Sequence, residues 1–140
     1  MNFTGSSDAI SGLQIAACEE ACGVRLPLSL RECYQESNGG QPEPYVFEND
    51  HLDTVVSEFL PLSTDGRGGA VKTYLLLVRE RKIVPSHFFP FAVDGGGEYF
   101  FVDTKSEEGA VYFFRSDSNE PGLLPLNLGV REFWQALKPE

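Results

Sequence analysis

The chain has 140 residues, and its eleven Lys and Arg against 21 Asp and Glu give a formal charge of −10. This length suits one domain with a substantial core, and eleven Phe, five Tyr and one Trp exclude a disordered acidic tail. Without a basic cluster we expect no binding to nucleic acid or to a membrane surface. No apolar run approaches the roughly 18 residues of a transmembrane helix, and the first residues show no signal-peptide pattern, so we expect a cytoplasmic protein.

Two helices are predicted near the start of the chain. The first covers residues 8–22, with Ser7 or Asp8 as its cap and Gly23 as the residue that ends it. Helical spacing predicts an inward stripe, with Ile15, Cys18 and Cys22 on one flank. The predicted stripe comprises Ile10, Leu13, Ala17, Ala21 and Val24.

The second helix covers residues 27–37. Pro27 suits its first turn, where a missing N–H costs nothing. Leu30, Cys33 and Tyr34 share its inward face. Asn and Gly tolerate positive φ, so we expect the helix to stop at Asn38, Gly39 and Gly40.

The middle of the chain alternates short strands and loops. Residues 45–47 and 58–62 are strand candidates, and residues 64–69 (Thr64, Asp65, Gly66, Arg67, Gly68, Gly69) form a loop. Residues 70–82 fit either a buried strand or a helix. We favour a helix, because the apolar positions follow its spacing and the basic residues suit its C-terminal end. The apolar positions are Val71, Tyr74, Leu75 and Val78, and the basic ones are Arg79, Arg81 and Lys82.

Three strands and a closing helix follow. Residues 88–93 and 99–103 form a hairpin through Asp94, Gly95, Gly96 and Gly97, because this run supplies the positive φ angles of a tight turn. Residues 111–115 add a third strand. Residues 128–138 form a helix that Asn127 caps, with Val130, Phe133, Trp134 and Leu137 facing inward. The predicted fold is α+β: a single domain, residues 1–140, with a mainly antiparallel sheet of at least three strands and about four flanking helices.

The cysteines indicate packing rather than chemistry. Cys18 and Cys22 lie four residues apart on a helix, a spacing that could begin a zinc site. A structural zinc site needs four ligands, and His51 and His87 have no matching spacing. An odd count of three cysteines also fits a reducing compartment. We therefore expect buried free thiols, no metal and no cofactor.

Catalytic motifs are weak. The glycine run 95–97 leads into a strand and lacks the spacing of a phosphate loop. Asp94 and Glu98 flank a turn, where Asp ordinarily bonds its own backbone. An enzyme would need a pocket that joins a histidine to Cys33 or to a carboxylate pair, and we expect no catalytic residues.

One stretch of charge is distinctive. No Lys or Arg occurs between Arg31 and Arg67, and eight acidic residues fall in that interval. It is either a solvated polar face or a surface that steers a basic partner. Tyr45 and Phe47 could serve there as aromatic anchors. The predicted partner-binding residues are Glu43, Tyr45, Phe47, Glu48, Asp50, Asp53 and Glu58, and the interval also holds Glu32, Glu36 and Asp65.

The order of these landmarks resembles the SUKH superfamily, the Smi/Knr-type domain. Three segments carry the resemblance: residues 23–40 with Pro27 and Asn38-Gly39-Gly40; residues 89–103 with Asp94-Gly95-Gly96-Gly97 and Asp103; and the closing helix with Phe133, Trp134 and Leu137. They span nearly the whole chain. Cys33 departs from the pattern, because an aromatic residue is more usual there.

The resemblance implies an α+β domain without catalytic residues, whose glycine and Asp motifs are structural. Most bacterial members resemble immunity proteins, which are cytoplasmic antidotes that bind toxin domains, often nucleases. A nuclease must be basic to hold phosphate, so an acidic inhibitor suits it. We therefore expect an immunity-type protein that binds a basic toxin domain stoichiometrically. The alternative is a regulatory or scaffold module in signalling or envelope control, without a toxin.

Overall fold

The computed structural model describes residues 2–63, 68–116 and 122–140. Residues 64–67 of the predicted loop, among them Asp65 of the acidic interval, lie outside the described residues. Four α-helices occur in the described ranges: α1 (Gly12–Cys22), α2 (Leu28–Glu36), α3 (Gly69–Tyr74) and α4 (Val130–Ala136). A π-helical segment, Leu75–Glu80, continues α3. The preference for a helix over a strand at residues 70–82 is thus confirmed.

Eight strands complete the described structure. They are β1 (Asn2–Thr4), β2 (Gln41–Glu43), β3 (Val46–Glu48), β4 (Asp53–Phe59), β5 (Phe88–Asp94), β6 (Tyr99–Asp103), β7 (Ala110–Arg115) and β8 (Gly122–Gly129). Strands β3 to β8 form one antiparallel sheet in chain order, and β1 pairs with β2 in a small second sheet. The predicted α+β domain with an antiparallel meander is confirmed. The sheet has twice the three strands that the sequence predicts as a minimum.

The start of α1 differs from the prediction. The helix begins after Ser11, whose hydroxyl accepts from the Gln14 N–H at 3.2 Å while the Gln14 side chain accepts from the Ser11 N–H at 2.9 Å. This reciprocal capping box is stronger than a cap at Ser7 or Asp8, because it satisfies two otherwise free amides. Gly23 ends the helix with a φ of 72°, as predicted.

The inward face of α1 was predicted only in part. Ile15, Cys18 and Cys22 are buried, whereas Leu13 is 85 % exposed and lies on the solvent side with Ala17 and Ala21. Apolar residues occur on both sides of this helix, so spacing alone offers two candidate stripes. Packing buries the residues predicted on the flank of the stripe rather than those predicted at its centre.

The start of the C-terminal helix also differs from the prediction. Asn127 and Leu128 belong to β8, so the prediction of Asn127 as a helix cap is wrong. The cap is Gly129, whose N–H donates to the Glu132 side chain at 3.1 Å. The strand candidate at residues 58–62 is likewise shifted, because β4 runs from Asp53 to Phe59 and ends before Pro61.

The core lies between the sheet and α4. Phe133 is fully buried, and its ring centroid lies 4.9 Å from those of Phe47 and Phe100 and 5.6 Å from that of Phe91. The four predicted inward residues of this helix are all buried: Val130, Phe133, Trp134 and Leu137. The sheet curls around this core and brings the β3–β4 turn close to β8 at its other edge.

Candidate protein-binding surface

The acidic residues meet on the hairpin of β3 and β4. Glu48 lies directly opposite Asp53, and Val46 lies opposite Val55. Glu48, Asp50, Asp53 and Val55 are exposed. We call this exposed side of the hairpin, defined by those four residues, the acidic hairpin face. Like charges opposite each other on paired strands cost stability, so the arrangement is not explained by the needs of the fold.

The C-terminal residues cover the outer edge of β3. The backbones of Val46 and Lys138 exchange two hydrogen bonds, at 3.0 and 2.9 Å. The Lys138 Nζ donates to Glu48 Oε1 at 2.6 Å, and this bond and charge hold the pKa of Glu48 below its ordinary value. Lys138 therefore neutralises part of the acidic hairpin face from within the same chain.

Tyr45 borders this face at the start of β3. Its hydroxyl donates to Glu140 Oε2 at 2.5 Å, and the bond to this carboxylate raises the pKa of Tyr45. Glu43 lies two residues before Tyr45, and its charge adds to the same effect. Glu43, Tyr45 and Glu140 thus form a second acidic group that extends the surface beyond the hairpin.

Phe47 is buried in the core and not exposed on the surface as predicted. It is 1 % exposed, and its ring packs against Phe133 and Phe100. Its neighbours on β3 point outward, so strand alternation turns Phe47 into the core. The expectation that Phe47 is an exposed anchor is wrong. Val55, 41 % exposed, is the apolar residue that the hairpin presents instead.

Glu58 is separated from the acidic hairpin face. It lies near the other end of β4, opposite Val93, and is half-buried beyond an irregularity in the pairing. Glu32 and Glu36 lie on α2, where Glu36 accepts from Arg131 at 2.6 Å. The interval that looked continuous in sequence is therefore divided among several elements.

The turn of the hairpin is tied to the opposite edge of the sheet. Asn49 Oδ1 accepts from the His51 and Leu52 amides at 2.9 Å, and its Nδ2 donates to the Leu126 carbonyl at 3.3 Å. His51 Nε2 lies 3.3 Å from Asn127 Nδ2. Arg115 Nη2 donates to the His51 carbonyl at 3.2 Å. These bonds hold the acidic hairpin face in a fixed position, which lowers the ordering cost of binding.

The Asn-Gly-Gly motif fastens α2 to the sheet. Asn38 donates to the carbonyls of Asp8 and Leu62 at 3.0 and 3.1 Å, and its Oδ1 accepts from the Leu62 N–H at 2.7 Å. Gly39 has a φ of 75°, and a Cβ there would lie 2.7 Å from the Phe59 carbonyl oxygen. Gly40 has a φ of 113°. Pro27 is the residue before α2.

The Asp-Gly-Gly-Gly motif closes the β5–β6 turn. Asp94 Oδ1 accepts from the amides of Gly96 and Glu98 at 3.0 and 2.8 Å, and Oδ2 accepts from the Thr54 hydroxyl at 2.8 Å. Gly95 and Gly96 are exposed in this turn, and Gly97 has a φ of 88°. Asp103 Oδ1 accepts from the Lys105 amide at 2.9 Å. The carboxylates of Asp94 and Asp103 thus stabilise turns.

The thiols and histidines are not brought together. Cys18, Cys22 and Cys33 are buried, and burial raises the pKa of Cys22 and of Cys33 to about 12. His87 packs on Phe88 and lies 3.9 Å from Asp103. Within residues 2–63, 68–116 and 122–140, no three His, Cys, Asp or Glu side chains are grouped as a metal site would need. No helix in those ranges has the length and apolarity to cross a bilayer.

Sequence reasoning missed Val55, Lys138 and Glu140. Val55 becomes an outward residue only through its register with Val46. Lys138 and Glu140 reach this surface because the chain end pairs with β3, and no local sequence pattern predicts that contact.

Comparison with known proteins gives one match. The model of the SMI1 / KNR4 family (SUKH-1) matches residues 9–134, which is most of the chain. No curated protein matches the chain, and no solved structure matches it either. The matched range includes both glycine motifs, the β3–β4 hairpin and most of α4, but it ends before Lys138.

Proposed function

The chain belongs to the SMI1 / KNR4 family (SUKH-1), and on that premise we propose that it is a non-enzymatic immunity protein. It neutralises a cognate toxin domain by stoichiometric binding in the cytoplasm. The toxin domain is basic, and a nuclease is the kind that fits best, because a nuclease must hold phosphate with Lys and Arg.

The observation that carries this proposal is the acidic hairpin face. Glu48 and Asp53 stand side by side with Asp50 at the adjoining turn, and only Lys138 pairs with a member of this group in the described structure. Such a surface raises the rate of encounter with a basic partner and disfavours acidic ones. Val55 adds apolar contact area to this face.

The fate of the candidate catalytic groups supports a binding role. Asp94 is used by the β5–β6 turn, and Glu98 accepts from the Ser116 N–H at 2.6 Å. The Cys33 thiol is buried with a raised pKa, which keeps it protonated and unreactive. The groups that an enzyme would use therefore serve packing and turns.

Capture of the partner tests this function. The tagged chain is used to purify binding proteins from the source cell in low salt and in about 0.5 M salt, where charges are screened within a few ångström. We expect one basic toxin domain, retained in low salt and weakened in high salt. Each captured domain is then expressed in a host with and without this chain, and growth is measured.

Restored growth on co-expression is the expected result. A captured domain that is harmless by itself, such as a signalling or envelope protein, would contradict the immunity role and favour the regulatory module. Toxicity that persists at equal or excess levels of this chain would contradict neutralisation by stoichiometric binding.

A further inference from the structure

A groove of about 460 Å³ lies between the start of α2 and the β6–β7 turn, where it is lined by basic side chains. Arg25 and Arg31 line its α2 side, and Lys105 lines its turn side. Glu107 is the one carboxylate among the residues that line it. In a chain of formal charge −10, a groove with three cations and one anion is an unusual concentration of positive charge.

None of these three cations forms an ion pair within the described residues. In the described part of the chain, Arg131 pairs with Glu36 and Lys138 pairs with Glu48, whereas Arg25, Arg31 and Lys105 make no side-chain hydrogen bond or ion pair. Their charges are therefore free to act on a ligand in the groove.

The guanidinium group of Arg31 has an unsatisfied buried atom. Its Nε is buried and has no hydrogen-bond partner. Desolvating part of a guanidinium without a compensating partner is costly. An anion held against the rest of this side chain would offset that cost through its charge.

The backbone at the start of α2 adds further donors. Pro27 offers no side-chain cap, and the first intrahelical bond runs from the Arg31 N–H to the Pro27 carbonyl at 3.0 Å. The amides of Leu28, Ser29 and Leu30 thus have no helical acceptor, and of these residues Leu28 lines the groove. The helix dipole favours negative charge at this end.

The β6–β7 turn completes the set of donors. The Ser106 hydroxyl accepts from the Ala110 N–H at 3.2 Å, which leaves its own proton available to a ligand. Leu28 lines the same groove and is 61 % exposed, so it offers an apolar surface beside the charges. The groove therefore combines cations, neutral donors and one apolar contact.

We propose that this groove binds the phosphate group of a small organic phosphate. Arg25, Arg31 and Lys105 supply the charge, and Leu28 contacts the organic part. The volume lies within the range of about 300–1,000 Å³ that small-molecule sites occupy. The site uses no residue of the acidic hairpin face, so it stands independently of the proposed partner.

Titration of the ¹⁵N-labelled full chain tests the site. Inorganic phosphate and phenyl phosphate are added separately, with sodium chloride at matched ionic strength as the reference. We expect saturable shifts of the amides at residues 28–30 and 104–107. Phenyl phosphate should bind more tightly than inorganic phosphate, because it can contact Leu28.

A matched pair of double variants identifies the groups responsible. Arg25→Gln/Lys105→Gln removes two exposed cations from the groove, and Lys72→Gln/Arg81→Gln removes two exposed cations elsewhere. We expect the first pair to weaken phosphate binding about tenfold or more, because charge-assisted bonds are lost, and the second pair to leave it unchanged.

Three results would overturn the proposal. They are the absence of saturable shifts at residues 28–30, equal weakening by both double variants, and equal affinity for the two phosphates. Each double variant is first checked by its amide spectrum, so that a folding defect is not mistaken for loss of the site.

Discussion

At the scale of single residues, the buried polar side chains of Asn38 and Asp94 form hydrogen bonds that stabilise the fold. Asn38 is 5 % exposed and Asp94 is 8 % exposed, and each makes three hydrogen bonds to distant parts of the chain or to a turn. Buried polar groups are tolerated when their partners are complete. Through these bonds the Asn-Gly-Gly and Asp-Gly-Gly-Gly motifs stabilise the fold.

The substitution Asn38→Ala tests the first of them. It leaves the Leu62 N–H and carbonyl without partners in a buried position. We expect the free energy of unfolding to fall by about 2–4 kcal/mol, measured by denaturant titration. Asn2→Ala, at an exposed position of β1, is the control and should change it by less than about 0.5 kcal/mol. Equal effects would contradict the role of Asn38.

The buried thiols predict a loss of stability in alkali. The folded pKa of Cys22 is raised from 9.0 to about 12. Below pH 9 the thiol is protonated in both states, so its contribution is complete. Between pH 9 and about 12 only the unfolded chain ionises, so stability falls as the pH rises.

Denaturant titrations from about pH 8 to about pH 11 measure this loss. The substitution Cys22→Val, which keeps an apolar side chain, should reduce this loss of stability but not abolish it, because the pKa of Cys33 is also raised to about 12. A free energy of unfolding that stays constant over this range would show that burial does not raise the pKa of the thiols.

At the scale of elements, two glycines with similar backbones have different surroundings. Gly39 joins α2 to β2, and a Cβ there would lie 2.7 Å from the Phe59 carbonyl oxygen and from Pro61 N. Gly97 closes the β5–β6 turn, and a Cβ there would meet nothing within 4 Å. Both have positive φ, at 75° and 88°. The pair thus separates the cost of backbone strain from the cost of overlap.

The prediction is that Gly97→Ala costs about 1 kcal/mol, from the positive φ alone. Gly39→Ala should cost at least about 2 kcal/mol more, because backbone atoms must move. Thermal and denaturant unfolding of both variants measure the difference. Similar losses for the two would mean that the close approach at Gly39 relaxes freely.

The sequence predicted the elements whose signals are local. Gly23 ends α1, and the Asp94–Gly97 run forms a turn, because the chemistry of each lies within a few residues. The inward stripe of α1 and the burial of Phe47 were predicted wrongly, since both depend on which neighbour packs against them. Strand β8 was missed, because Pro125 and the glycines at its ends conceal its pattern.

At the scale of the whole molecule, charge is distributed unevenly over the surface. The acidic hairpin face lies on the β3–β4 edge of the sheet, and the unpaired cations of the groove lie between the start of α2 and the β6–β7 turn. Part of the face could be predicted, because the acidic residues are close in sequence. Its composition could not, because the pairing of the chain end with β3 brings Lys138 to Glu48, and Glu58 lies apart near the other end of β4.

The affinity of the captured toxin domain for two matched triple variants, measured by calorimetry, tests whether the acidic hairpin face binds the partner. One carries Glu48→Gln, Asp50→Asn and Asp53→Asn. The other changes Glu20, Glu32 and Glu80 to Gln, which removes the same charge from other exposed positions.

We expect the first triple variant to bind about tenfold or more weakly and to lose most of its salt dependence. The second should bind like the unmodified chain. Lys138→Gln should bind more tightly, because it frees Glu48. Equal affinities of the two triple variants, with the same salt dependence, would contradict the claim that the acidic hairpin face binds the partner.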